Sequence, residues 1–379
     1  MDFQLNEVQL MIQKSARDFA KKLVEDVIER DDKSIYPTEH VKMMKELGFL
    51  GMMAGEKYGG GGMDTISYVL AMEEISKMDS SVAVVMSVSN SLVNWGLETY
   101  CNEEQKEKWL RPLALGNKIG AFLLSEPEAG SDATSQRTIA EDKGDHYLVN
   151  GTKNWITNGS SADTYVLIAH THPEKKAKGI NALIVDKKTP GITVGPHENK
   201  MGMRSSDTHS IMFTDVIVPK ENRIGEDGFG FTFAMKTLEG GRIGIAAQAV
   251  GIAMGALDRA IEYSKQRKTF GTEICNHQSV AFKLAEMAVA IESAHLLTLK
   301  AAWLKDQHLP YGTASARAKY AAAETAMWVT TEAVQIHGGY GYVKEYHVER
   351  LMREAKLTQI YEGTSEIQKI IISRDLLKD

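Results

Sequence analysis

The chain of 379 residues is poor in cysteine, in long apolar runs and in clustered positive charge. Its two cysteines, Cys101 and Cys275, cannot form a disulfide framework and suit a reducing compartment, so we expect a cytoplasmic protein. No stretch approaches 18 consecutive apolar residues, which predicts no membrane span, and the opening MDFQLNEVQLMIQKSARDF resembles neither a signal nor a transit peptide. A net charge of −6 argues against a nucleic-acid partner.

The common catalytic and metal-binding signatures are also missing. The 11 histidines are scattered, and neither HExxH nor a Cys/His ligand spacing occurs, so no metal site is predicted. There is no GxGxxG after a predicted strand, no GxxxxGK[ST] and no GxSxG. A nicotinamide Rossmann enzyme, a P-loop nucleotide hydrolase and a common serine hydrolase are therefore disfavoured.

The composition, 43% hydrophobic and 25% charged, is that of a large globular chain with two or three subdomains. Apolar residues recur at helical spacing near 5–30, 38–48, 64–78, 81–99 and 103–113, and again near 230–265, 279–307, 311–336 and 365–376. Short β-branched segments separated by turn residues lie between them, without long helices, which favours antiparallel hairpins. The pattern predicts a mainly α fold with a central β domain, divided at 1–117, 118–225 and 226–379.

Four loop segments carry unusual chemistry, although each also has an ordinary structural explanation. LLSEPEAGSD lets a planar ligand approach the backbone or is a Pro/Gly turn, and Trp155 in NWITNG covers a flat cofactor or lies in the core. Arg267 in KQRKTFG grips a phosphate or interacts with a helix C-terminus. The glycines of QIHGGYGY allow close ligand approach or cap a helix.

In this order, the segments resemble the acyl-CoA dehydrogenase family from Ser125 to Gln368. The similar motifs are SEPEAGSD, GTKNWITNG, KTLEGGRIGIAAQAVGIA, QRKTFG, AVQIHGGYGY and IYEGTSEIQ. MSVSNSL, LLSEP and GRIGIAAQA are similar to the short-chain, butyryl-CoA-oxidising branch. The resemblance implies an N-terminal helical domain, a middle β-barrel-like domain and a C-terminal four-helix bundle.

The resemblance also implies FAD as cofactor and acyl-CoA as substrate. The residues that would contact FAD are Phe122, Leu124, Ser125, Gly130, Ser131, Trp155, Ile156, Thr157, Arg267, Phe270, Gln278, Gln335, Ile336, Gly338, Gly339, Thr364, Ser365 and Glu366. Those that would contact the substrate are Ser131, Glu239, Gly240, Gly241, Arg242, Tyr361 and Gly363. Arg267, Gln278 and 335–339 would serve the FAD of a neighbouring subunit, which implies a homotetramer built as a dimer of dimers.

Glu362, between Tyr361 and Gly363, is the implied base that removes the α proton of the acyl thioester, while the β hydrogen leaves as hydride to the flavin. A minority branch of the family places its base on the helix that here contains LEGGR, but the corresponding residue is Gly241, which cannot act as a base. Burial beside an apolar acyl chain would raise the proton affinity of Glu362.

Several residues depart from the family pattern. Ser125 replaces a common Thr and keeps the hydroxyl, Glu239 replaces the usual Asp, and His347 replaces a common Pro. The largest departure is SLVNWGLETYCN, in which Trp95 either caps the acyl pocket and restricts it to short chains or belongs to the ordinary core.

The predicted function is FAD-dependent α,β-dehydrogenation of a short straight-chain acyl-CoA, with electrons passing to electron-transfer flavoprotein. Two enzyme alternatives keep the fold: a short branched-chain substrate, and physiological reduction of crotonyl-CoA in an electron-bifurcating complex. A remote alternative of another class is a non-catalytic helical scaffold.

Overall fold

A computed structural model describes residues 4–378, and its first third is helical. The helices are α1 (Glu7–Leu23), α2 (Val27–Lys33), α3 (Thr38–Glu46), α4 (Thr65–Ser76), α5 (Ser80–Ser87), α6 (Trp95–Tyr100), α7 (Glu103–Gln105) and α8 (Arg111–Ala114). A capping box between Asn6 and Gln9 starts α1. A π-helical segment, Val88–Asn94, joins α5 to α6, so the predicted helix at 81–99 is one rod with widened turns.

The strands of the middle region form one sheet. They are β1 (Gly120–Leu123), β2 (Ile139–Asp142), β3 (His146–Thr157), β4 (Thr164–His170), β5 (Ile180–Asp186), β6 (Ile192–His197), β7 (Thr208–Pro219) and β8 (Arg223–Ile224). Their order is β6-β7-β3-β2-β4-β5-β8, with β1 also on β4. Five pairings are antiparallel as predicted, but β1 and β2 each run parallel to β4. Strand β4 is buried along its whole length, as is usual for a strand with parallel neighbours.

The last third is again helical: α9 (Gly230–Gln266), α10 (Gln278–Asp306), α11 (Gly312–His337), α12 (Val348–Thr358) and α13 (Ser365–Leu376). A small hairpin, β9 (Lys268–Thr269) with β10 (Thr272–Glu273), separates α9 from α10. Helix α12 was not among the predicted helices. It is short and strongly charged, and it follows His347, whose φ of 60° breaks the preceding chain.

Helix α9 is the central element of the molecule and packs against α4, α10, α11 and α12. Within residues 4–378 it is the one helix long and apolar enough to cross a membrane, but 89% of its most apolar stretch is buried inside the protein. Core helices of large proteins commonly combine these properties.

The core joins the helical and β regions next to the segment that contains Glu362. One cluster of buried side chains includes Leu92 before α6, Phe122 on β1 and Phe233 on α9, and both Leu124 and Tyr361 pack against it. The loop between α12 and α13 is therefore fixed beside α9 and the end of β1.

Candidate active site

The loop between α12 and α13 presents Glu362 in an unusual backbone conformation. Glu362 has φ of 53° and Gly363 has φ of 92°, so two consecutive residues lie in the left-handed region. A non-glycine residue is disfavoured there and is maintained only by its surroundings. The side chain of Thr364 then caps α13 by accepting a hydrogen bond from the N–H of Ile367 (3.3 Å). This backbone directs the Glu362 side chain inward, toward α9.

The carboxyl of Glu362 lies against Gly241 of α9. A methyl group at Gly241 would overlap Oε2 of Glu362 and would lie 2.8 Å from Cδ2 of Leu92. Although Glu362 as a residue is partly exposed, its Oε2 is buried and has no hydrogen-bond partner among the described residues. Buried polar atoms are normally satisfied, so this carboxyl oxygen needs an explanation, and a bound substrate beside it is one that fits its position against Gly241.

Burial raises the pKa of Glu362 to about 7, and the nearby charges of Lys319 and Arg242 prevent a larger rise. Loss of hydration destabilises the carboxylate, while the two cations stabilise it. Arg242 is buried on α9 and its Nε has no partner in the described part of the chain. A carboxyl with this pKa is a competent proton acceptor near neutral pH.

Tyr361 fixes the other side of the loop. Its hydroxyl donates a short hydrogen bond to Oε1 of Gln248 on α9, and Nε2 of Gln248 donates to the carbonyl of Ser80 (2.8 Å). Burial, followed by the charge of Glu362, raises the pKa of Tyr361 well above its ordinary value, so the phenol stays a neutral donor.

The remaining predicted substrate residues of α9, Glu239 and Gly240, lie three and two residues before Arg242. Gly240 faces the end of α10, since a methyl group there would be 3.4 Å from Nζ of Lys305. Glu239 is partly buried and forms an ion pair with Lys236 (3.3 Å).

The loop after β1 is supported by a buried ion pair. Nζ of Lys153 on β3 donates to Oε1 of Glu126 (2.7 Å), to the carbonyl of Leu124 (3.0 Å) and to Oε1 of Gln136 (2.8 Å). The N–H of Asn154 donates to the carbonyl of Ser125 (2.8 Å), which joins this loop to the end of β3. Gly130 and Ser131 follow at the surface.

A bulge at the end of β3 turns Trp155 outward. The register with β7 shifts between Lys153 and Ile156, and Trp155 has φ of 60°. Its side chain is 61% exposed, whereas Ile156 is buried and Thr157 half-buried. Trp155 is therefore not a core residue, and its free ring face suits a flat ligand.

A second group of predicted cofactor residues lines two adjoining grooves at the far end of α9. The first, of about 740 Å³, includes Arg267, Ile336, Gly338 and Gly339, and the second, of about 500 Å³, includes Phe270, Gln335 and Ile336. Gln278 is exposed beside them. Methyl groups at Gly338 and Gly339 would meet no atom of the described chain within 4 Å, so the backbone there is open to a ligand.

These grooves are distant from Glu362. Gly241 and Gln266 are separated by 25 residues of α9, or about 38 Å at 1.5 Å per residue. We call these two grooves the Arg267 grooves. A flavin bound beside Glu362 would therefore not reach the Arg267 grooves of the same subunit, and these grooves would contact a different cofactor molecule. Of the residues at the start of α13, Glu366 is exposed, while Ser365 donates to Oε1 of Glu324 (2.6 Å).

The residues present suit a flavin and a thioester. An exposed tryptophan ring stands beside the open Ser125–Ser131 loop, an arginine lies in a glycine-lined groove, and the orphaned carboxyl oxygen of Glu362 faces a glycine. These are the donors and surfaces that bind a planar ring system, a phosphate and a substrate with an acidic proton, respectively.

Comparison with known proteins identifies the family. The N-terminal, middle and C-terminal domain models of acyl-CoA dehydrogenase match residues 6–117, 121–216 and 228–377. The chain belongs to the acyl-CoA dehydrogenase family. The predicted family and three-part fold are thereby confirmed, while the exact domain limits stay a prediction.

Several individual acyl-CoA dehydrogenases are similar to this chain over their whole length. The short-chain specific acyl-CoA dehydrogenase of Clostridium acetobutylicum is 49% identical, with all of both chains covered. The structure of butyryl-CoA dehydrogenase from Megasphaera elsdenii is 50% identical at a TM-score of 0.98, also with complete coverage of both chains. A chain from structural work on the electron transferring flavoprotein of Acidaminococcus fermentans and flavin-based electron bifurcation is 49% identical, with complete coverage and a TM-score of 0.99.

A more distant acyl-CoA dehydrogenase fold contains the reduced cofactor. A glutaryl-CoA dehydrogenase from Mycobacterium smegmatis in complex with FADH2 is 31% identical at a TM-score of 0.94, covering 99% of this chain and 96% of that one. The predicted cofactor of the family is thus found on this fold.

Sequence reasoning missed residues that support the site, above all Lys319 and Gln368. Lys319 was detectable in principle, because it interrupts a buried stripe of small residues on α11 that includes Ser315, Ala322 and Ala326. Gln368 gave no such signal, since a glutamine on a short helix is usually a surface residue.

Proposed function

We propose that this chain is an FAD-dependent dehydrogenase of short-chain, butyryl-CoA-like acyl thioesters, with Glu362 as the base that removes the α proton. The observation that carries the proposal is the Oε2 of Glu362, which is buried opposite Gly241 and has no hydrogen-bond partner within residues 4–378. The similarity to short-chain enzymes over the full length supports the substrate class.

In the proposed mechanism, substrate binding completes the exclusion of water around Glu362. The ionised carboxylate takes the α proton, and the backbone N–H of Glu362 donates to the thioester carbonyl, where negative charge develops. Arg242, Gly240 and Gly241 border the substrate from α9, and the absence of a side chain at Gly241 leaves the carboxylate its place. FAD held at the Ser125–Ser131 loop and Trp155 would supply the acceptor for the hydride that leaves the β carbon. Afterwards Glu362 holds the proton at its carboxyl.

We further propose that the cofactor is bound between two subunits. One subunit would contribute the residues near Glu362 and Trp155, namely Phe122, Leu124, Ser125, Gly130, Ser131, Trp155, Ile156, Thr157, Thr364, Ser365 and Glu366. Its neighbour would contribute the residues of the two grooves at the far end of α9, namely Arg267, Phe270, Gln278, Gln335, Ile336, Gly338 and Gly339. The length of α9 between Gly241 and Gln266 supports this division. A dimer is then the smallest complete unit, and a homotetramer combines two of them.

The expected electron acceptor is electron-transfer flavoprotein, and the expected compartment is the cytoplasm. Both cysteines are free, with Cys101 buried, which suits a reducing environment. The similarity to a chain studied together with the Acidaminococcus flavoprotein supports the partner. The same similarity favours one second candidate, physiological reduction of crotonyl-CoA. Steady-state rates in both directions, with oxidised or reduced flavoprotein and with straight and branched C4–C8 thioesters, separate the candidates.

The decisive variant is Glu362→Gln. It should retain FAD and fold while losing butyryl-CoA oxidation by at least about 10²-fold, the lower range for a positioned base. Because burial raises the pKa of Glu362 to about 7 and only the carboxylate accepts a proton, wild-type kcat/KM for oxidation should rise with pH through about 7. Anaerobic bleaching of the bound flavin measures the step directly.

Glu141→Gln, at the exposed end of β2, is the matched control and should oxidise butyryl-CoA at the wild-type rate. Near-normal bleaching by Glu362→Gln would remove Glu362 from the mechanism, and a purified protein without flavin would contradict the whole proposal.

A further inference from the structure

Lys319 is a completely buried cation directly behind the Glu362 loop. It lies on α11 within the stripe of small buried residues, and its side chain has no exposed surface. Its Nζ donates to the carbonyl of Gly363 (2.8 Å). Removing an ammonium from water costs free energy that a leucine at this position would not cost. A buried lysine therefore indicates that its charge or its hydrogen bonds are needed here.

The carbonyl of Gly363 accepts two hydrogen bonds, from Nζ of Lys319 and from Nε2 of Gln368 (2.7 Å). The same Nε2 lies 3.3 Å from the carbonyl of Glu362. These bonds fix the two peptide units whose left-handed φ values direct the Glu362 carboxyl toward α9. A methyl group at Gly363 would lie 2.7 Å from Nε2 of Gln368, so the packing also excludes a side chain there.

Charged and titratable groups surround the carboxyl from every neighbouring helix. Burial raises the pKa of Glu362, and Lys319 on α11 and Arg242 on α9 oppose this rise; the phenols of Tyr68 on α4 and Tyr361 also lie near the carboxyl. Burial lowers the pKa of Lys319 to about 8. The charge of Glu362 opposes this shift more than any other charged group does, because it stabilises the ammonium form.

Lys319 itself faces three further charged groups. Glu324 on α11 and Glu366 on α13 favour its ammonium, and Arg242 opposes it. Glu324 already accepts the hydroxyl of Ser365, and Glu366 is exposed to solvent.

We propose that Lys319 is the positioning residue of this site: its ammonium fixes the Gly363 carbonyl, and hence the direction of the Glu362 side chain, and it places a positive charge near that carboxyl. The inference rests on the proposed function, since it assigns Lys319 a role only through Glu362. Lys319 does not touch the reacting atoms.

The test is Lys319→Met in the flavin-loaded, full-length protein. Removing a cation beside a carboxyl should move the acid limb of kcat/KM for butyryl-CoA upward by at least about one pH unit. An activity-independent readout is the infrared band of the protonated Glu362 carboxyl, assigned by its loss in Glu362→Gln. In Lys319→Met this band should persist to higher pH by the same amount.

Lys369→Met is the matched control, because Lys369 is an exposed lysine on α13 whose ammonium lies over the ring of Tyr320 (5.2 Å). Its pH profile and infrared titration should equal those of the wild type. The inference would be overturned by a folded, flavin-bound Lys319→Met protein in which neither the acid limb of the kcat/KM profile nor the titration of the Glu362 infrared band has shifted.

Should Lys319→Met not fold, Lys319→Arg and Lys319→Gln decide the question. The arginine variant keeps the charge and should keep the wild-type limb, whereas the glutamine variant should move it upward; identical limbs in the two would overturn the inference. Failure of the proposed function is distinguishable, because Glu362→Gln would then stay active, whereas failure of this inference alone leaves Glu362→Gln inactive.

Discussion

Trp95 lies one helical turn after Leu92, the residue that borders Gly241 and the Glu362 carboxyl. Its half-buried ring meets Tyr100 edge-on (centroids 5.8 Å apart), and Nζ of Lys305 lies 5.4 Å from its centroid. The indole therefore lies against the end of α10, one helical turn from a residue that borders the Glu362 carboxyl. That Trp95 limits acyl chain length stays a prediction.

If Trp95 limits acyl chain length, Trp95→Gly should raise the ratio of C8 to C4 acyl-CoA turnover, because it removes the bulk of the indole one helical turn from Leu92. The measurement is kcat/KM for butyryl-CoA and octanoyl-CoA, with Trp109→Phe, a change at a buried tryptophan of the same helical region, as control. An unchanged ratio in a stable Trp95→Gly protein would exclude Trp95 as the determinant of chain length.

At the scale of elements, the buried pair of Lys153 and Glu126 connects β3 to the loop after β1. Burial lowers the pKa of Lys153 to about 8, although Glu126 opposes this shift. Burial also acts to raise the pKa of Glu126, but Lys153 and neighbouring donors bring it below its ordinary value. The two groups therefore stabilise each other's charged forms, and the loop depends on both.

Lys153→Met should destabilise the protein by about 3–5 kcal/mol, because it leaves a buried carboxylate without its cation. Urea unfolding measures the loss. The double variant Lys153→Met/Glu126→Gln should recover part of it, and Lys143→Met, which breaks an exposed ion pair with Glu141, should cost less than about 1 kcal/mol. Equal losses for Lys153→Met and Lys143→Met would show that the buried pair does not stabilise the loop.

At the scale of the whole molecule, α10 presents an apolar stripe to solvent. Phe282, Val289, Leu296 and Trp303 are each separated by seven residues, and they are between 42% and 65% exposed. A stripe of this period fits a partner helix, and the proposed tetramer supplies one.

Val289→Asp/Leu296→Asp should lower the molar mass in sedimentation, since charge would be buried at the interface. Flavin content should fall with it, because each cofactor would lose the Arg267 grooves of the neighbouring subunit. Leu10→Asp, at an equally exposed apolar position on α1, should leave both unchanged. A double variant with wild-type mass would argue against α10 as the interface.

The sequence by itself determined the order of helices and strands, the family and Glu362 as the candidate base. Helical periodicity, turn residues and the ordered motifs are local properties, so they can be read without contacts. These local patterns failed to predict two features that depend on contacts between distant residues. The short charged helix α12 was missed, and the parallel pairings of β4 were not expected.

Only the tertiary structure decided the burial and the pKa of the Glu362 carboxyl. Its neighbours Gly241, Arg242, Lys319 and Gln368 come from three different helices, and the burial of Oε2 depends on the packing of α9 against the α12–α13 loop. Desolvation and Coulomb interactions act through space between residues remote in the chain, so no local pattern specifies them. The same reason explains why Trp155, on a strand with a core-like pattern, faces outward: the bulge that turns it arises from pairing with β7.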